Sequence, residues 1–431
     1  MRGLALLGLA CSSLAAPSAV AQDKLYLSQR AAFRLNTIAG GLVHPWAMAF
    51  LPGGDILVTE RPGRLRVVRA GKLQRRPVAG LPKVAAQGQG GLMDVILHPR
   101  FAENRLIYLS YTARGAGGIG THVARARLSG GKLTGLRVIF AALPRNAGGL
   151  HFGSRMVFGR DGLLYITSGD RGESADAQSL ATHTGKVVRI TDSGAVPRDN
   201  PFAGRPGARP EIFTFGHRNP QGIARHPATG RIWAVEHGPK GGDEINILAP
   251  GANYGWPAIT YGRSYAGFSI GEGTHKPGMA QPIKYWVPSI APSGLAFYTG
   301  ARFPGWTGNL FVGALVLKHL NRLTLDGDRV VGEERLLSDW GRRIRDVRDG
   351  PDGYLYILTD EDPGALVRLE PVPEAPPTHP GLGPECGSHI DSLSPGSQPF
   401  GVPQCKHFPP KGNARQIGPK NRSPHRGHRK R

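Results

Sequence analysis

Apolar residues in this chain fall in short runs, not at helical spacing. Six runs are of one kind: Asp55–Thr59, Arg105–Ser110, Gly162–Thr167, Arg231–Glu236, Asn309–Ala314 and Tyr354–Thr359. All are rich in β-branched, aromatic or other large apolar side chains. Most follow a turn sequence, such as Pro52-Gly53-Gly54, Arg160-Asp161-Gly162, Thr229-Gly230 or Pro351-Asp352-Gly353. A polar turn feeding such a run is a strand signal, and six copies are a repeat signal. No single unit can bury its own sheet face, so the units must pack on one another. Radial stacking of four-stranded blades solves this for an all-β chain of such length. The expected fold is a six-bladed β-propeller; a large irregular β-sandwich is the competing arrangement.

The chain has 431 residues, enough for a large core and one or two domains. Its 62 glycines and 37 prolines suit many short strands separated by turns. The net charge of +23 does not by itself name a partner. In the body the charges are scattered, and no nucleic-acid-binding motif accompanies them, so no nucleic-acid partner is expected. The excess suits solubility, an anionic envelope surface or an anionic ligand.

Residues 1–21 read as a signal peptide. Arg2 precedes a mostly small or apolar stretch, and Ala19-Val20-Ala21 fits a small-x-small cleavage site. A periplasmic or secreted protein follows, with Cys11 an alternative lipidation point. No later run reaches transmembrane length. Residues 22–370 form the body. From Pro371 the composition turns rich in Pro, Gly and Ser, so 371–431 is expected to be a disordered basic tail. It holds Cys386 and Cys405, which could form one disulfide in an exported chain. No Cys-x-x-Cys-His haem motif is present.

The chemically suggestive residues lie between or just beyond the repeated runs, where a propeller presents its loops. Gln89 sits among glycines in Gln87-Gly88-Gln89-Gly90-Gly91. His151 lies in Gly148-Gly149-Leu150-His151-Phe152-Gly153, an accessible setting for a general base. Asp170 follows a run and could orient that imidazole. Arg218 and Asn219, in Gly216-His217-Arg218-Asn219-Pro220, are donors for a carboxylate or carbonyl. The turn His237-Gly238-Pro239 and the nearby Asp243-Glu244 and Asn253-Tyr254 offer hard oxygen ligands suited to Ca²⁺, though not at EF-hand spacing. Arg343 and Arg345, two apart in a strand, face one way and make an anion clamp.

Taken together, the ordered segments from His44-Pro45-Trp46-Ala47 to Thr359-Asp360 resemble the glucose/sorbosone dehydrogenase family. They look most like its soluble aldose sugar dehydrogenases, which use pyrroloquinoline quinone (PQQ). The resemblance implies an exported quinoprotein that oxidises the anomeric hydroxyl of aldose sugars to lactones. PQQ and Ca²⁺ are the implied cofactors, and a respiratory quinone or cytochrome the implied electron acceptor. A monomer or homodimer is expected. By motif, His151 is the implied base, Asp170 its support and Arg218 an electrostatic stabiliser. Gln89, Arg218, Asn219, Tyr265, Lys318, Arg343 and Arg345 fall at cofactor-contacting positions, with Val316 taking the place of Lys318 in a second register. Gly238 and Pro239 match carbonyl ligands of the cofactor's Ca²⁺, and Glu244 and Tyr254 match a further calcium site. Leu150 stands where some glucose-specialised relatives carry an acid, which argues against narrow glucose specificity. Two alternatives remain: a calcium-dependent propeller hydrolase such as a lactonase, and a propeller binding module without cofactor.

Overall fold

The computed structural model describes residues 24–372. The expected signal peptide, the expected tail beyond Val372, and Cys11, Cys386 and Cys405 lie outside the described residues.

The described chain forms a six-bladed β-propeller. Blade 1 is built from Pro45–Phe50, Ile56–Glu60, Arg64–Arg69 and Lys72–Leu73. Blades 2 to 5 open with Leu92–Leu97, Met156–Phe158, Pro220–Arg225 and Pro292–Phe297, each the innermost of four antiparallel strands. Blade 6 begins at Ile344–Asp349 and continues through Leu355–Thr359 and Gly364–Val372. It is completed by Ala32–Leu42 and Leu25–Leu27 from the start of the described chain. Closure pairs Ala32 with Val372 and Leu35 with Leu369, so the last strand runs two residues past the body boundary expected at 370. The innermost strands contact one another in a closed ring.

Each repeated run is the second strand of a blade. Five of these second strands are buried along their whole length. Both of their faces meet a neighbouring blade, so they read as continuous apolar runs instead of alternating ones. One apolar cluster fills each blade junction. Leu57, Leu92 and Leu109 join blades 1 and 2, and Trp306, Phe311 and Ile357 join blades 5 and 6. At about 1.5–3 kcal/mol for each large side chain removed from water, these junctions hold the ring together.

The axis also carries charge. Arg155 Nη1 lies 3.0 Å from Asp346 Oδ1, while Arg348 bridges Asp346 (2.9 Å) and Asp94 (3.0 Å). Arg155 Nε donates to Gln221 O at 2.8 Å, and Met48 and Met156 donate main-chain N–H groups to Asp346 and Asp94. The knot thus ties together blades 1, 2, 3, 4 and 6. Among the described residues, no helix is long and apolar enough to cross a membrane.

Candidate functional site

A cavity of about 760 Å³ opens at the blade face where second strands end. The chain leaves each second strand there, so the residue just past the strand is delivered to the rim. Arg61, His237, Leu315 and Asp360 occupy that position in blades 1, 4, 5 and 6, and all line the cavity. Trp46, Met93 and Phe152 give it an apolar wall, and Gln89, Asn219, Gln221, Arg343 and Arg345 a polar one.

His151 sits beside this cavity on the glycine-rich loop. Its neighbour Phe152 lines the cavity, as does Gln89, whose Oε1 accepts the His151 main-chain N–H at 2.8 Å. The loop is gripped from two sides. A Cβ at Gly88 would meet Gly149 O at 2.4 Å, and one at Gly169 would meet His151 O at 2.2 Å. Neither position tolerates a side chain, and His151 itself is left-handed at φ 49°.

Behind the imidazole is Asp170. His151 Nδ1 and Asp170 Oδ1 are 2.6 Å apart, and the second carboxylate oxygen accepts Trp256 Nε1–H at 2.8 Å. Burial raises the Asp170 pKa, but the His151 hydrogen bond and charge, the Gly172 N–H and the Arg218 guanidinium outweigh it. The carboxyl is held below its ordinary range and is ionised at neutral pH. An ionised Asp170 accepts from Nδ1–H and leaves Nε2 as the basic nitrogen. The structure brings the two residues into direct hydrogen-bond contact, a geometry that a base and its orienter require.

Arg218 is buried. Its Nη1 donates to Gly238 O at 2.8 Å, and its main-chain N–H donates to Glu236 at 2.7 Å. Asn219 Oδ1 accepts Gly153 N–H at 3.2 Å, tying the histidine loop to blade 4. Arg345 and Arg343 converge on Asp360 Oδ2 at 2.7 and 3.4 Å. Burial pushes Asp360 up, but Arg345, Arg343 and Arg61 together hold it well below the carboxylate range. Tyr265 lines the cavity from an exposed position. Lys318 is exposed and is not among the lining residues, whereas Val316, the second-register residue, is.

Gly238 and Pro239 line the cavity, and the Gly238 carbonyl is engaged by Arg218. Glu244 and Tyr254 instead face a separate small cavity of about 10 Å³, with Glu236 and Trp256. Burial and the nearby Glu236 charge push Glu244 up to about 8. Asn246 donates to both glutamates at 3.3 Å while its Oδ1 is buried without a partner. Two close carboxylates and an orphaned oxygen suit a hard cation. The Tyr254 hydroxyl is engaged, donating to Ile247 O at 2.7 Å. No group of three or more His, Cys, Asp or Glu side chains at metal-holding spacing occurs among the described residues.

Sequence reasoning gave no role to His44, Arg61, His237, Trp256 or Asp360. Burial and Arg218 push His237 down to about 3, so it is neutral, with Nε2 held 2.6 Å from Pro292 O. His237 and Asp360 are each the first residue after a repeated run, and Arg61 is the second, the first past the strand Ile56–Glu60, so run ends were the signal for three of these five.

A family model described as glucose/sorbosone dehydrogenase matches residues 42–368. The aldose sugar dehydrogenase YliI of Escherichia coli (strain K12) is 48% identical over 347 residues, covering 79% of this chain and 94% of its own. Among solved structures, the soluble aldose sugar dehydrogenase of E. coli in its apo-form superposes with a TM-score of 0.77 at 47% identity, covering 79% of this chain and 100% of that one. The PQQ-bound form of the Streptomyces coelicolor aldose sugar dehydrogenase superposes with a TM-score of 0.65 at 28% identity, covering 78% and 96%.

Proposed function

Because the chain belongs to the glucose/sorbosone dehydrogenase family, we propose that it oxidises the anomeric hydroxyl of aldose sugars to lactones, with PQQ as hydride acceptor and Ca²⁺ as its companion cation. The observation that carries this reading is the His151 imidazole hydrogen-bonded to an ionised Asp170, beside a cavity lined by Arg61, Arg343 and Arg345. A planar quinone with three carboxylates fits that chemistry: Arg343, Arg345, Gln89 and Asn219 offer donors, and Trp46, Met93 and Phe152 a flat apolar wall. Tyr265, and Lys318 or Val316, would complete the surround. Gly238 and Pro239 supply carbonyls for the cofactor's cation, and Glu244 with Tyr254 a further cation position.

When bound, PQQ would accept the hydride from the sugar carbon, with Ca²⁺ stabilising the charge that develops. In the protein, His151 Nε2 takes the hydroxyl proton. Asp170 fixes the tautomer and stabilises the imidazolium that results, and Trp256 fixes Asp170. Arg218 offers a buried positive charge to developing negative charge. The likeness to the PQQ-bound Streptomyces enzyme supports the cofactor assignment. The signal-like residues 1–21 support export, and a respiratory quinone or cytochrome would remove the electrons.

The test is reconstitution. Protein made without PQQ should gain sugar:dye oxidoreductase activity only on addition of PQQ and Ca²⁺. Full sugar oxidation by chelated, PQQ-free protein would sink the reading. His151→Ala should lower turnover by about 10²–10⁴-fold with PQQ binding retained. Arg343→Ala with Arg345→Ala should do the reverse, since each charge-assisted bond contributes roughly 1.5–3 kcal/mol to affinity.

A further inference from the structure

The cavity wall formed where blades 6 and 1 meet carries more positive charge than its own carboxylate balances. Arg343 and Arg345 both lean on one oxygen of Asp360. Arg61 lines the same wall, donates to Gly88 O at 3.0 Å, and is paired with no carboxylate among the described residues. Burial weakens its hold on its proton; Asp360 supports that proton, while Arg345 and Arg343 oppose it. Glu361, the next acid along, is occupied by Arg342.

His44 stands beside this group. Its Nδ1 is 3.7 Å from Asp360 Oδ1, beyond hydrogen-bond reach, and is buried without a hydrogen-bond partner. The residue is held at φ 42°, a left-handed conformation disfavoured for any side chain larger than glycine. Two main-chain bonds fix it there: His44 N–H to Glu361 O at 2.9 Å and Arg61 N–H to His44 O at 3.1 Å. Strain that the surroundings enforce at a cavity wall is characteristic of ligand sites. A buried, unpartnered ring nitrogen facing Asp360, a guanidinium without a carboxylate partner and two guanidiniums sharing one acid therefore meet at one cavity wall.

We propose that His44 and Arg61 join Arg343 and Arg345 in a subsite for a ligand bearing two carboxylates, with Asp360 as its built-in counter-ion, which the ligand displaces toward His44. The proposal deepens the quinone-cofactor reading and rests on it for the natural ligand, whose carboxylates would sit here. Three guanidiniums against one carboxylate leave a surplus that a dianion neutralises and a monoanion does not. While Asp360 holds the arginines, a monoanion must compete with an acid already in place. A dianion has a second charge to set against Arg61 and His44. The subsite therefore selects by charge number as well as by shape.

The experiment is calorimetric titration of the full-length protein without PQQ, using two redox-inert probes, pyridine-2,4-dicarboxylate and benzoate, and then PQQ itself. Arg61→Met should weaken the dicarboxylate and PQQ by about tenfold or more, the loss of one charge-assisted pairing. His44→Asn should weaken both by a smaller factor. Asp360→Asn should tighten benzoate and narrow the preference for the dicarboxylate. Melting curves of each variant establish that it is folded, and Arg61→Met and His44→Asn keep the test intact should Asp360→Asn fail to fold. Unchanged dicarboxylate affinity in both Arg61→Met and His44→Asn overturns the subsite. Weakening of both anions by Asp360→Asn overturns the counter-ion role. Tight PQQ binding that ignores Arg61→Met and His44→Asn would remove the subsite and leave the cofactor reading standing. Dicarboxylate binding as expected, with PQQ no better than the probe, would do the opposite.

Discussion

Two groups of charge lie on the axis side of this propeller, and they are built from the same residue types. In the knot, Arg155 and Arg348 face Asp94 and Asp346, two cations against two acids. At the cavity wall, Arg61, Arg343 and Arg345 face Asp360 alone. In the knot, main-chain N–H groups cap both acids and main-chain carbonyls accept from Arg155, while Arg348 donates to the two acids. The wall is open to a large cavity and its histidine has a bare ring nitrogen. One segment feeds both, since Arg343 and Arg345 go to the wall while Asp346 and Arg348 go to the knot. Balanced charge turned inward among its own counter-ions serves structure. Surplus charge left facing an open volume serves a ligand.

The largest expected contrast comes from removing one cation on each side. Arg155→Met leaves Asp94 and Asp346 buried with one partner fewer, which should cost about 3–5 kcal/mol of unfolding free energy in a urea melt. A loss no larger than that of a surface substitution would mean the knot is dispensable. The next effect is on pH dependence. Asp360 is held well below its ordinary pKa, so the stability it contributes is complete above about pH 4 and is lost as pH falls through its folded value. Asp360→Asn should therefore make the acid limb of stability shallower by about one proton. An acid limb identical to that of the native protein would show that the arginines do not act on this carboxyl. The smallest effect has the opposite sign to the first. Arg61→Met removes a guanidinium disfavoured first by burial and then by Arg345 and Arg343, only partly offset by Asp360, so ligand-free protein should gain up to about 1 kcal/mol in a urea melt.

Much of the fold was legible because each second strand is packed on both faces. That environment writes an uninterrupted apolar run into the sequence, and six such runs give the blade count. Ala32–Leu42 was not legible. Its burial alternates irregularly, it contains Gly40 and Gly41, and its partner lies at the other end of the body. In the site, the glycine-rich and turn-borne motifs around Gln89, His151, Arg218 and Gly238 were readable because close backbone approach needs glycine. Arg61, His44 and Asp360 were not, since each stands alone at a strand end and acquires meaning only from blades brought together by closure. Trp256 was visible in Asn253-Tyr254-Gly255-Trp256-Pro257, yet its bond to Asp170 spans 86 residues. Around Lys318 the run Leu315-Val316-Leu317 is uniformly apolar, so it does not fix the loop's register in the sequence; the fold puts Val316 in the cavity lining and Lys318 outside it.

Closing the ring with strands from both ends of the body sets an order of events. Ala32–Leu42 emerges first during synthesis and finds its partner, Gly364–Val372, only after the five other blades exist. Such distant pairing is slow to form. Arg343, Arg345 and Asp360 lie on the blade sealed by that last step, and His44 and Arg61 on the blade it abuts. A chain that has not yet sealed thus presents only fragments of the anion-binding wall. Ligand loading follows maturation, and a bound ligand in turn acts as a rivet across the seam, resisting the reopening of the ring where it was last joined.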